Sequence, residues 1–268
     1  MTEVPPNQLD AAFAVARAAG RTLLLPYLCA GFPSLAESEA IFCAMADAGA
    51  DGFEVGIPFS DPIMDGPVIA AAAQHALANG TRLGDVLDLL SRLPDVPRVA
   101  MSYVNPILRY GVERYAGAAG QAGASGLIAP DLPLEEAPAW SQALEATGQH
   151  LVLFAAPTST TERLAEIGRL AAGFIYCVSL LGVTGEREVV AATARDVAAR
   201  VRSVTAVPAV IGVGISTPEQ AAAVADVADG VIVGSALARR ISDAGPGAAG
   251  VRAAAAFVRD LRRALDAA

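Results

Sequence analysis

Short apolar runs alternate with longer amphipathic ones from one end of the chain to the other. The short runs cover 22–28, 52–56, 98–103, 126–129, 151–155, 174–178, 209–213 and 230–233. Each is almost continuously hydrophobic, as strands buried on both faces must be. Between them, apolar residues recur at helical spacing over 8–19, 84–93, 112–122, 134–147, 161–171, 189–203 and 248–266. Two helix starts carry capping boxes, Ser34-Leu-Ala-Glu37 and Thr217-Pro218-Glu219-Gln220, the second with Pro at the first helical position. Eight strand–helix units in 268 residues predict a (β/α)8 TIM barrel, a fold of ~250 residues. A doubly wound open sheet shares this alternation, and strand count does not separate the two. No linker or composition break divides residues 1–268, so a single barrel domain is expected, with a short N-terminal helix plugging its lower end.

With 54% hydrophobic residues and a mean hydropathy of +0.45, the chain can build a large core. Charges, Gly or Pro interrupt every apolar run before the ~18 residues that a membrane span needs. The opening MTEVPPNQLD is acidic and Pro-rich, unlike a secretory signal, so a soluble cytoplasmic protein is expected. A net charge of −9 without a basic cluster argues against nucleic acid or an anionic membrane as partner. All 19 basic residues are Arg. The lack of lysine excludes a Schiff-base mechanism and covalent anchoring of pyridoxal phosphate to this chain. Cys29, Cys43 and Cys177 form no C-x-x-C pair and read as reduced, buried small hydrophobes. His75 and His150 lack ligand spacing, so no metal site is expected.

The segment Gly52–Pro67, GFEVGIPFSDPIMDGP, carries the chemistry. Glu54 lies in a run short enough to be a buried strand, and the following loop brings Asp61 and Asp65. An unpaired buried carboxylate is costly unless its pKa rises until it holds a proton. Pro58, Pro62 and Pro67 stiffen the loop that delivers Asp65. Two acids aimed at one space, one in a wall and one on a semi-rigid arm, suit general acid–base catalysis. The plainer alternative is a strand-end Glu facing solvent beside an ordinary acidic turn. In a barrel, both acids fall at the carboxyl ends of the strands, where active sites lie.

Three glycine-bearing turns follow the last three strands: Gly182-Val-Thr-Gly185, Gly212-Val213-Gly214-Ile-Ser216 and Gly234-Ser235. The segment from Ser235 to Arg240 reads as a short helix whose amino end offers free N–H groups to an anion. A lone glycine after a strand is usually just a turn. Three in register favour a phosphorylated small molecule held by backbone amides, which needs no basic side chain.

These residues resemble the tryptophan synthase alpha chain family. The resemblance is most specific over 52–67. It continues through Leu25-Pro-Tyr-Leu-Cys-Ala-Gly-Phe-Pro33, Ser102-Tyr-Val-Asn105, Asp131-Leu-Pro133, Tyr176 to Gly185, Gly212 to Gln220 and Gly234-Ser235. It implies a barrel lyase that cleaves indole-3-glycerol phosphate to indole and glyceraldehyde 3-phosphate by a retro-aldol route. Glu54 matches the family's general acid/base, and Asp65 the carboxylate that meets the indole N–H. Tyr176 matches a residue beside the catalytic Glu, and Thr184 a hydroxyl that fixes the Asp when the loop after strand 6 closes. Gly185, Gly214, Gly234 and Ser235 match the phosphate grip. Tyr27, Met101, Ile128 and Val213 are expected to line the indole pocket. The resemblance also implies docking on a separate β chain in an α2β2 heterotetramer, with Asp61 and Pro62 near the interface. Pyridoxal phosphate belongs to that partner, and no cofactor is expected here.

Cys29 stands where relatives often carry Thr, and Leu180 and Leu181 replace more polar residues. A neighbouring barrel, indole-glycerol-phosphate synthase, needs a catalytic lysine that this chain lacks. Two rivals remain open: a free-standing indole-3-glycerol phosphate lyase and a non-catalytic, ligand-responsive barrel.

Overall fold

The computed structural model describes residues 6–178, 187–212 and 214–268, with 187–191 as backbone only. Its strands are β1 (Leu23–Cys29), β2 (Phe53–Gly56), β3 (Arg98–Met101), β4 (Gly126–Ile128), β5 (His150–Ala155), β6 (Ile175–Cys177), β7 (Ala209–Ile211) and β8 (Gly230–Val233). All pair in parallel in chain order, and β8 returns to β1 through Leu23↔Gly230 to Pro26↔Val233. That pairing closes the sheet and removes the open-sheet alternative. Closure also leaves no unpaired edge.

Side chains alternate across the barrel wall with the period of two that strands impose. On β1, Leu24 and Leu28 face the helices, whereas Leu23, Leu25, Tyr27 and Cys29 face the interior. The outer ring comprises α2 (Leu35–Asp47), α3 (Pro67–Ala78), α4 (Leu83–Arg92), α5 (Val104–Tyr110), α6 (Val112–Gln121), α7 (Ala137–Glu145), α8 (Thr161–Leu170), α9 (Arg187–Val204), α10 (Pro218–Ala222), α11 (Ser235–Ala244) and α12 (Ala248–Asp266). Edge-to-face contact of Phe42 on Phe53, centroids 5.0 Å apart, typifies how a helix seats on a strand.

The N-terminal helix α1 (Gln8–Ala18) closes the lower mouth. Asn7 caps it, accepting from Leu9 N at 2.8 Å, while Asp10 Oδ2 accepts from Asn7 N at 2.8 Å. The Asn7 amide also donates to the carbonyls of Ser125 (2.8 Å) and Gly148 (3.0 Å), just before β4 and β5. Asp10 Oδ2 lies 2.5 Å from Nε2 of the buried His150. Leu9 is fully buried, and Phe13 packs on Phe174 at 6.0 Å. The expected plug is therefore present.

Several local expectations change. The 98–103 run ends at Met101, because Tyr103 is already the N-cap of α5. The Ser34 box is half-formed: Ser34 Oγ accepts from Glu37 N, but the Glu37 carboxylate bonds Ser34 Oγ and Gly247 N. Thr217 caps α10 likewise, yet Gln220 Oε1 accepts from Ser216 N and Oγ instead of the Thr217 N–H. Cys43 is exposed, contrary to expectation, whereas Cys29 and Cys177 are buried. Helix α2 buries Ile41, Phe42 and Met45, and that spacing turns position 43 outward. Among the described residues, no helix is long and apolar enough to cross a membrane.

Because Leu9 is fully enclosed in the interior cluster, Leu9→Ala is expected to cost ~2–5 kcal/mol. Urea unfolding checks this; a loss below about 1 kcal/mol would show that the plug docks without supporting the barrel.

Candidate active site

Glu54 sits on β2 in register with Tyr27 of β1 and Val99 of β3. Its neighbours Phe53 and Val55 belong to the outer core, so alternation turns Glu54 inward. There it is 5% exposed, and its Oε2 has no hydrogen-bond partner. Burial, reinforced by the facing Asp65 charge, pushes its pKa up to about 8.

Asp65 arrives on the loop after β2, which is folded by turns from Ile63 N to Asp61 O (2.9 Å) and from Asp65 N to Pro62 O (3.0 Å). Gly66 then caps α3, with Pro67 at its first position. Half-buried Asp65 has its pKa raised to about 6 by desolvation, opposed by a hydrogen bond from the Tyr103 hydroxyl. Among the described residues, neither acid is in an ion pair. Near neutral pH the two groups together hold about one proton, predominantly on Glu54.

Both acids line a cavity at the carboxyl ends of the strands, enclosing about 880 Å³ with its open mouth. Tyr27, Met101, Ile128, Phe154, Tyr176 and Ile232 supply apolar walls. Phe154 stacks on Tyr176 with centroids 5.1 Å apart and planes at 23°. Gly212, Gly214, Gly234 and Ser235 form part of the lining, and α11 begins there without a side-chain cap. Two of these glycines also make room for rings. A Cβ on Gly212 would collide with the Tyr176 hydroxyl, and one on Gly234 would lie 3.0 Å from Tyr27 Cδ1.

The sequence-derived residues thus largely converge. Glu54, Asp65, Tyr27, Met101, Ile128, Tyr176, Gly214, Gly234 and Ser235 share the cavity. Thr184, Gly185 and Val213, with Leu180 and Leu181, lie outside the described residues. Asp61 and Pro62 are absent from the cavity lining; Asp61 is exposed and accepts from Ser60 Oγ at 2.5 Å. Beside them Ile63 and Met64 are 77% and 39% exposed.

The profile of the tryptophan synthase alpha chain family matches residues 13–266. The chain belongs to this family. It is 43% identical over 260 residues to the tryptophan synthase alpha chain of Streptomyces coelicolor, covering 96% of each chain. It is 45% identical over 263 residues to that of Chloroflexus aurantiacus, covering 97% of this chain and 98% of the relative. Among solved structures, a Mycobacterium tuberculosis tryptophan synthase chain superposes with a TM-score of 0.89 at 37% identity, covering 97% of this chain and 99% of that one. The tryptophan synthase alpha subunit of Legionella pneumophila gives 0.88 at 33% identity, covering 98% and 100%. Family membership gives the chain a lyase role in tryptophan synthesis.

Sequence reading missed Phe154, Ile232 and Tyr103. Phe154 and Ile232 were inside correctly located strands, and two-residue alternation from Val152 and Gly230 would have turned both inward. Tyr103 gave no such signal, because its contact is with a loop distant in sequence.

Raised carboxyl values favour the protonated folded state. Stability linked to Glu54 is therefore fully present below its ordinary value of 4.5 and lost as pH rises through about 8. Glu54→Gln is expected to remove that loss, gaining on the order of a few kcal/mol over the parent at pH 9 relative to pH 4. Urea titrations at both pH values measure it; an unchanged pH dependence would mean Glu54 titrates as an ordinary carboxyl.

Proposed function

We propose that this chain cleaves indole-3-glycerol phosphate to indole and glyceraldehyde 3-phosphate by retro-aldol chemistry. One observation carries the reading. A buried carboxyl, Glu54, whose Oε2 has no hydrogen-bond partner shares an apolar cavity with the half-buried Asp65, and burial raises the first to about 8 and the second to about 6. Carbon–carbon cleavage at indole C3 asks for that division of labour. Glu54 delivers its proton to C3, and ionised Asp65 balances the positive charge that develops on the indole N–H. The Glu54 carboxylate then takes the proton of the glycerol hydroxyl beside the breaking bond. As the carbonyl forms, the bonding electrons return to the ring. The protonated indole is the electron sink, so no imine is required, in keeping with a chain that has no lysine.

The indole ring lies against Tyr27, Met101, Ile128, Phe154 and Tyr176. The phosphate meets the amides of Gly234 and Ser235 at the amino end of α11 and that of Gly214 after β7, and the family resemblance adds Thr184 and Gly185. A β chain is the proposed partner, in an α2β2 assembly that carries pyridoxal phosphate on the β chain. The exposed loop bearing Asp61, Pro62, Ile63 and Met64 is the proposed contact. The whole chain is read as one cytoplasmic barrel domain.

Glu54→Gln is expected to lower turnover by at least ~10³-fold while leaving substrate-analogue binding near the parent value. Near-parental turnover would remove Glu54 from the chemistry, and an inactive parent chain would favour the ligand-responsive barrel. The pH profile of kcat/KM is expected to be bell-shaped, with limbs near 6 and 8 from Asp65 ionised and Glu54 protonated. A profile flat across that range would contradict the assignment. Adding a β chain separates a synthase subunit, which is activated and co-migrates, from a free-standing lyase, which does neither.

A further inference from the structure

Two sequence motifs have no task in the cleavage reading, Ser102-Tyr-Val-Asn105 and Asp131-Leu-Pro133. In the fold both lead to Asp65. Tyr103 follows β3, is 2% exposed and does not line the cavity. Its hydroxyl oxygen accepts the Met64 N–H at 3.0 Å, which sets the phenol beside the residue preceding Asp65, whose value it lowers. A phenol has one proton to donate, so accepting from Met64 leaves that proton for Asp65. The Tyr103 ring also packs on Phe59 at 5.2 Å, so one side chain holds the loop after β2 at two points, Phe59 and Met64.

Tyr103 is itself pinned. The next residue, Val104, donates its N–H to Asp131 Oδ1 at 2.8 Å, and Ser102 N bonds Ile128 O at 3.0 Å. The anchor is therefore β4 and the turn after it. The loop it steadies is otherwise turned outward, with Ile63 and Met64 exposed.

We propose that Tyr103, braced by Asp131 through Val104 N, is a positioning residue that fixes Asp65 as a carboxylate facing Glu54. Its catalytic consequence rests on the lyase reading; its effect on Asp65 does not. The titratable groups facing Asp65 are Glu54 from β2, Tyr27 and Cys29 from β1, Tyr176 from β6 and Tyr103 itself. Of these, Tyr103 is the one that lowers the Asp65 value.

The test follows the Asp65 carboxyl carbon by NMR through a pH titration of the full chain, beside kcat/KM profiles. In Tyr103→Phe, the Asp65 midpoint and the acid limb are both expected to rise by about one pH unit. kcat near neutral pH is expected to fall about tenfold with little change in KM. Asp131→Ala is expected to move the midpoint in the same direction by less, and Asp131→Asn, which keeps Oδ1, to behave as the parent. A folded Tyr103→Phe with an unmoved midpoint overturns the proposal, since a merely structural role lowers activity without shifting a titration. Were that variant not to fold, the Asp131 pair decides: a shift in Ala absent from Asn supports the brace, and equal midpoints overturn it. A shifted midpoint in a chain whose parent has no turnover would retain the brace and reject the lyase reading.

Discussion

The site depends on one carboxyl group enclosed in a barrel wall without a counter-charge. Glu54 is surrounded by hydrophobic side chains and the hydroxyls of tyrosines that resist ionisation themselves. Such an environment favours the neutral acid, because the charged form loses its hydration and gains no partner. Asp65, nearer the mouth, keeps more water and a tyrosyl donor, so its proton leaves first. Two chemically similar groups are thereby set apart in proton affinity by their difference in depth and by the tyrosine beside one of them.

The same cavity joins two demands on glycine. At Gly212 and Gly234 the backbone must leave room for the rings of Tyr176 and Tyr27. Gly234 is also the N-cap of α11 and brings its amino end to the cavity. Seating a ring and opening a helix end thus both fall to positions without a side chain, so a larger residue at Gly234 disturbs the two at once.

The barrel was readable because its strands are buried on both faces and announce themselves as unbroken apolar runs. Their ends were less legible. Tyr103 looks like strand sequence but caps a helix, and Ala-rich α3 has too little polar contrast to declare a face. Glu54 stood out as a charge in the wrong company, and Asp65 through the prolines around it. Phe154 and Ile232 were hidden because an inward residue in a uniformly apolar strand differs from an outward one only by parity. Tyr103 was hidden for another reason: its partners Met64 and Asp65 lie across a loop, and no local periodicity encodes such a meeting. Cys43 was misread because being apolar in composition does not determine which side of α2 a residue takes.

The α1 stopper has a consequence for how the chain is made. Asn7 and Asp10 are synthesised well before the groups they bind, since Ser125, Gly148 and His150 are 118 to 141 residues further along. The seam between β1 and β8 waits longer still, for Gly230 to Val233. Leu9 and Phe13 must therefore travel through synthesis with their apolar faces unclaimed. A segment made before the barrel is among the last to find its place, and the nascent chain is most vulnerable to association until β8 emerges.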